Sequence, residues 1–227
     1  MTDYHRDRIS IQVGLSGYSF KIETDDTVRS SEWLSAGRIF TSAEFQRRYD
    51  EVDISVFTHK CALVPAPFHN PEESRKILSE TVNLADSDIV EFVEVPHFAS
   101  VLVYSNSIGE SLSKVISDMV ARTDGSKATP LPELYHMLMQ LPGIPDYNKI
   151  LASYKDGYLY LAVAQGRTLL LCNAFQALDF TTAEYFIFLV MKKLQLNIEM
   201  SSIYFRTALH EDEEISLYRY FKNVEQI

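Results

Sequence analysis

The chain is short of residues that punctuate or cross-link: eight glycines, eight prolines, two cysteines and one tryptophan in 227 residues. Cys61 and Cys172 lie far apart in apolar, strand-like stretches. They exclude a disulfide framework and fit two buried free thiols. Basic residues are scarce too, 21 Lys and Arg against 31 Asp and Glu, for a net charge of −10. That balance excludes a nucleic-acid or anionic-membrane surface, which needs clustered cations. Arg47-Arg48 and Lys192-Lys193 sit among acids or apolar residues and read as solvated helix faces. The longest apolar run, 185–191, is far short of a membrane span. Residues 1–8 are polar with no apolar signal core behind them, so a cytoplasmic protein is expected. There is no Gly-Lys-Ser/Thr phosphate loop, no Gly-x-Gly-x-x-Gly, no His-Glu-x-x-His and no Cys-x-x-Cys.

What is present is an ordinary globular composition, 46% hydrophobic and 23% charged, long enough for one large domain or two small ones. Two stretches return 140 residues further on without a gap. Gly17-Tyr18-Ser19-Phe20 returns as Gly157-Tyr158-Leu159-Tyr160, and Phe40-Thr41-Ser42-Ala43-Glu44-Phe45 as Phe180-Thr181-Thr182-Ala183-Glu184-Tyr185. The spacing is too long for a solenoid and implies an internal duplication, one chain with two related halves.

Ile9, Ile11, Val13 and Leu15 alternate with Ser10, Gln12 and Gly14, the period of a half-buried strand. Ser16-Gly17 turns the chain onto a second strand carrying Tyr18, Phe20 and Ile22. A third strand is expected within 33–40, then a short helix to about residue 49 opened by a Thr41/Glu44 capping box. The second half has strands at 149–154, 158–164 and 168–175, with Asp156-Gly157 as a hairpin turn that needs positive φ at both residues. A helix over 182–194 with a Thr181/Glu184 box, a strand at 202–206 and an acid-started helix over 211–224 complete it. Between the halves, strands at 53–58, 61–64, 90–95 and 99–104 and helices at 71–82, 108–122 and 131–141 are expected. Pro142-Gly143-Ile144-Pro145 can neither continue a helix nor join a sheet centre and marks the domain boundary.

This order resembles the ribonuclease-H-like domain pair of the actin, sugar-kinase and Hsp70 superfamily. The whole chain looks like a family of uncharacterised bacterial proteins with an actin-like ATPase fold, distantly similar to pilus-assembly and cell-division actins. The residues that carry the resemblance are the hairpin 11–20, the segment 62–68 and the block 157–194. The resemblance implies an α/β fold of two ribonuclease-H-like halves with mixed sheets. The first covers 1–144 with an inserted α+β segment at about 59–104, and the second 145–227. It also implies one more strand and helix than the second half provides, so that half is expected to be incomplete at its C-terminus, by truncation or by a different completion.

In ATP-binding members of the superfamily the first hairpin carries Asp-x-Gly and small hydroxyl residues, for magnesium and phosphate. On this chain Gly14 matches the glycine, and Ser16 and Gly17 follow, but Gln12 stands at the aspartate. At the second phosphate loop, Asp156 and Gly157 are the only match, and Asp156 is more simply explained as a turn former. Arg206-Thr207-Ala208 offers no glycine where the adenosine loop would lie. No catalytic residue and no metal site is expected. His59-Lys60-Cys61 reads as a strand end, while His69, His97, His136 and His210 keep no metal-ligand spacing. Two functions stay open: a non-catalytic interaction or scaffold protein with a protein partner and no cofactor, or a divergent ATPase or small-molecule kinase binding ATP and magnesium across a two-domain cleft through Gly14, Ser16, Gly17, Asp156 and Gly157.

Overall fold

A computed structural model describes residues 7–107 and 110–227. In chain order its strands are β1 (Arg8–Val13), β2 (Gly17–Glu23), β3 (Val28–Ser30), β4 (Leu34–Ser35), β5 (Glu51–Val56), β6 (Cys61–Pro65), β7 (Glu91–Val95) and β8 (Ser100–Tyr104). They continue as β9 (Pro130–Pro132), β10 (Asn148–Lys155), β11 (Tyr158–Gln165), β12 (Thr168–Gln176), β13 (Ser202–Phe205) and β14 (Asn223–Gln226). The helices are α1 (Ser74–Ser79), α2 (Glu110–Met119), α3 (Glu133–Gln140), α4 (Phe180–Lys193) and α5 (Glu211–Tyr218). Two compact units form, Met1–Thr58 with Asn106–Glu133, and His59–Ser105 with Leu134–Ile227.

Unit 1 holds a mixed sheet in the order β3-β2-β1-β5-β9, with β4 also pairing β2. β1 runs antiparallel to β2 and parallel to β5, and β5 parallel to β9. The alternation expected of β1 is real, since Ile9, Ile11 and Val13 are all buried. They pack with Tyr18, Phe20, Ile54, Phe45, Tyr49 and, from α2, Ile116.

Unit 2 repeats that order as β12-β11-β10-β13-β14. β10–β11 and β11–β12 are antiparallel, and β10–β13 and β13–β14 parallel. α4 lays Ala183, Ile187, Val190 and Met191 on a core that includes Leu159, Leu161, Val163 and Phe205. β10 and β11 are buried along most of their length, and the 3-10 turn Leu141–Gly143 packs against both. A second sheet, β6-β8-β7, is antiparallel throughout and packs around Leu78 of α1.

Several elements depart from the sequence reading. The third strand of unit 1 is β3, and within 33–40 only β4 is extended before a 3-10 turn, Ala36–Thr41. Ser31 takes over the ladder there: its N–H donates to the Phe20 carbonyl, and its Oγ accepts from the Phe20 N–H at 2.9 Å. No α-helix follows Thr41. Thr41 and Ser42 donate their hydroxyls back to the Arg38 carbonyl, closing one turn instead of capping the next. Only the 3-10 turn Ala43–Gln46 forms. α4 is capped by Asp179, not Thr181: the Asp179 carboxylate accepts from the Thr182 N–H at 2.7 Å. The expected helix over 211–224 ends at Tyr218, and Asn223–Gln226 instead becomes β14, the fifth strand of its sheet. Asn223–Gln226 pairs there in parallel with Ser202–Phe205 of β13.

The units also divide elsewhere than at 144/145. The inserted segment 59–105 belongs to unit 2, where β6 lies beside β12. α3 from Leu134 onward and the Pro142-Gly143-Ile144-Pro145 cluster belong there as well, and Leu134, Met137, Leu138 and Leu141 are buried.

Candidate functional site

In unit 1 the parallel register brings three polar side chains to the carboxyl ends of neighbouring strands. Gln12 of β1 lies directly opposite Ser55 of β5, which lies opposite Leu131 of β9, and Glu133 stands two residues further on. Glu133 is fully buried. Its carboxyl group accepts from the Gln12 amide at 3.1 Å and from the Ser55 hydroxyl. Buried polar groups need such partners, since each left unsatisfied costs about 1–3 kcal/mol. Gln12 thus stands beside a carboxyl group that a second carboxylate at the same place would repel.

Ser55 and Glu133 were not singled out from the sequence. Glu133 falls inside the helix expected over 131–141, yet Pro130-Leu131-Pro132 was the available signal. Two prolines spaced that way favour an extended segment, so Glu133 had to follow a strand end.

The structure brings Gly14, Ser16 and Gly17 together in the β1–β2 turn and gives each a structural task. The Gly14 N–H donates to the Gly17 carbonyl at 3.0 Å. The Ser16 hydroxyl accepts from the Trp33 indole N–H at 3.3 Å. A Cβ on Gly17 would stand 1.9 Å from the Leu34 carbonyl oxygen, so glycine is what lets β4 approach β2.

In unit 2, Asp156 and Gly157 form the β10–β11 turn with φ of 51° and 76°, the positive values expected of that hairpin. Arg206 and Thr207 extend the contact of β13 with β10. The Arg206 N–H donates to the Ala152 carbonyl at 3.0 Å, and Thr207 Oγ1 accepts from the Tyr154 N–H at 3.0 Å. Burial raises the Tyr154 hydroxyl above its ordinary value and lowers Lys155, with Asp156 opposing the second shift. Cys61 and Cys172 form no disulfide, and burial raises both thiols, Cys172 to about 12. His59 stacks flat on Tyr158 at 4.3 Å, a packing role. Among the described residues no three His, Cys, Asp or Glu side chains gather as a metal would need, and no helix is long and apolar enough to cross a membrane.

Two mixed sheets of one strand order, each flanked by helices, are the frame of the actin-like ATPase fold. A Bacteroides thetaiotaomicron protein with that fold and unknown function superposes with a TM-score of 0.68 at 16% identity, over 100% of this chain and 94% of the other. The PilM–PilN type IV pilus biogenesis complex is similar at a TM-score of 0.51 and 10% identity, over 97% of this chain and 88% of that one. No curated protein matches. The chain belongs to the DUF3822 family, described as a protein of unknown function, whose model matches residues 7–224.

Proposed function

We propose that this chain is a non-catalytic interaction protein on an actin-like fold, with a protein partner and a cytoplasmic location. The observation that carries the reading is the bond from Gln12 to buried Glu133. At the position where ATP-binding members of the superfamily hold a metal-organising aspartate, this chain has an amide committed to a neighbouring side chain. Phosphoryl transfer relies on positioning and charge stabilisation around Mg²⁺, and an amide supplies no charge for the ion. The same holds around it: Ser16 serves Trp33, Gly17 serves Leu34, and Thr207 serves the end of β10. The similar PilM structure is one of a complex with PilN, which supports a protein partner by analogy of fold. The shared strand order of the two units supports an internal duplication.

Glu133 itself favours a second reading, a divergent ATPase or small-molecule kinase, because it brings a carboxyl group to the ends of the strands that carry Gln12 and Ser55. Thermal shift with Mg²⁺ and ATP separates the two. A site filled at 100 times its Kd adds about 2.7 kcal/mol, whereas the interaction reading expects no shift at millimolar ATP. On that reading Gln12→Asp lowers the melting temperature, by setting two carboxyl groups against each other, and creates no phosphate release. A clear ATP-dependent shift in the native protein establishes the second reading instead.

A further inference from the structure

Unit 2 carries a cavity of about 440 Å³ at the start of β10, the opposite end of that strand from the Asp156-Gly157 turn. The β7–β8 turn supplies His97 and Phe98, the segment before β10 supplies Asp146 and Tyr147, and the β11–β12 turn supplies Arg167. Lys149 of β10 lines it too, and is only 7% exposed. Its ammonium donates to the carbonyls of Pro142, at 3.1 Å, and Ile144. Those acceptors carry no net charge, and a buried ammonium ordinarily has a counter-charge. Asp146, the one acid in the lining, instead accepts from the Tyr204 hydroxyl at 2.8 Å. Among the described residues neither Lys149 nor Arg167 forms an ion pair. An acidic chain has therefore gathered a lysine, an arginine and a histidine around one hollow.

The walls are otherwise flat and apolar, and they are held in place. Gly166, at φ 56°, donates its N–H to the Tyr147 carbonyl at 2.8 Å, and a Cβ there would stand 3.3 Å from the Tyr147 ring. Backbone thus ties Tyr147 to the turn that presents Arg167.

We infer that this cavity binds a small organic anion, a carboxylate or phosphate monoester on a flat apolar body, with Lys149 and Arg167 meeting the acid group and Phe98 and Tyr147 the ring. The test is an NMR titration of the full chain with phenyl phosphate and with benzoate, using benzylamine as the probe of opposite charge and inorganic phosphate as the probe without a ring. At least one aryl anion should saturate in the millimolar range, moving amide signals of 97–98, 146–149 and 166–167. Benzylamine should not bind, and inorganic phosphate should bind about tenfold more weakly than the aryl anion. Arg167 is exposed, so Arg167→Glu should leave the melting temperature unchanged while weakening the anion by at least about tenfold. Failure of both aryl anions to saturate, equal binding of benzylamine or of inorganic phosphate, or an unchanged affinity in Arg167→Glu would overturn the inference.

Discussion

The two units share one strand order and build it from different material. Unit 2 uses strands of eight, eight and nine residues in its antiparallel part and covers them with a 14-residue helix. Unit 1 gives β3 and β4 three and two residues, and where α4 would correspond it has two 3-10 turns. Its core is nonetheless closed, because Ile39 and Phe45 from those turns, with Tyr49 after them, fill the place of a helix face. What the topology requires is apolar volume over the central hairpin. A regular helix is one way to supply it.

That equivalence makes the irregular segment of unit 1 as important as α4. Phe45, 1% exposed, has its ring centroid 5.2 Å from that of Tyr18 and 5.9 Å from that of Phe20. Phe45→Ala should cost about 3–5 kcal/mol and Ile187→Ala about 2–5 kcal/mol in urea melts. A cost for Phe45→Ala below about 1 kcal/mol would show that the 3-10 turns are dispensable cover, and would break the comparison. Phe186, the neighbour of Ile187, is only partly buried and stacks on Phe175, so its truncation should cost less than that of Ile187.

The aligned glycines give the next effect. Gly17 avoids a collision with backbone, whereas Gly157 holds a positive φ with nothing closer than 3.9 Å to its absent Cβ. Gly17→Ala should cost about 3 kcal/mol through overpacking, and Gly157→Ala about 1 kcal/mol through backbone strain alone. Equal losses on denaturation would mean that the two turns do the same work.

A smaller effect is expected at the start of α4. Asp179→Ala should lower the urea midpoint by less than Gly17→Ala does, and Thr181→Ala should leave it in place, since only Asp179 binds the Thr182 N–H. The reverse ranking would restore the capping box at Thr181.

The smallest effect is a pH dependence confined to unit 2. Burial, and then the charge of Lys60, hold the His59 imidazole below its ordinary 6.5. The unfolded chain therefore takes up a proton first. Stability from this site is complete above about pH 6.5 and is lost as the pH falls below it. His59→Phe keeps the stack on Tyr158 and should flatten that part of the profile in melts between about pH 5 and 7.5. An unchanged slope would assign the acid-side loss to another group.

The regular parts of this molecule were legible in its residues. Alternation marked β1 and β2, Asp156-Gly157 marked the hairpin, and the apolar run after Phe180 marked α4, because each is a local signal. The short elements were not, since tertiary partners decide them. Thr41 and Glu44 carry the spacing of a capping box, yet the Arg38 carbonyl captures the Thr41 hydroxyl. Asn223–Gln226 is a strand only because β13 has an open edge beside it. The site divided the same way. Gly14, Ser16 and Gly17 could be placed on their turn, but the partners that occupy them, Trp33 and Leu34, come from a segment with no clear period. Glu133 reaches Gln12 from 121 positions away, a distance over which no local pattern extends.

The path of the chain has a consequence for how the protein is made. It leaves unit 1 after Thr58, spends residues 59–105 in unit 2, returns for Asn106–Glu133 and leaves again. During synthesis the first unit's sheet therefore waits for β9, and Glu133 for its place beside Gln12, while residues 59–105 of the second unit have already emerged. Domains that are contiguous can fold in the order they are made, but the residues of these two alternate along the chain. A nascent chain stopped near residue 105 would hold the β1–β2 hairpin and the β6-β8-β7 sheet with neither unit closed: unit 1 is completed once Glu133 has emerged, and unit 2 only after β14 has.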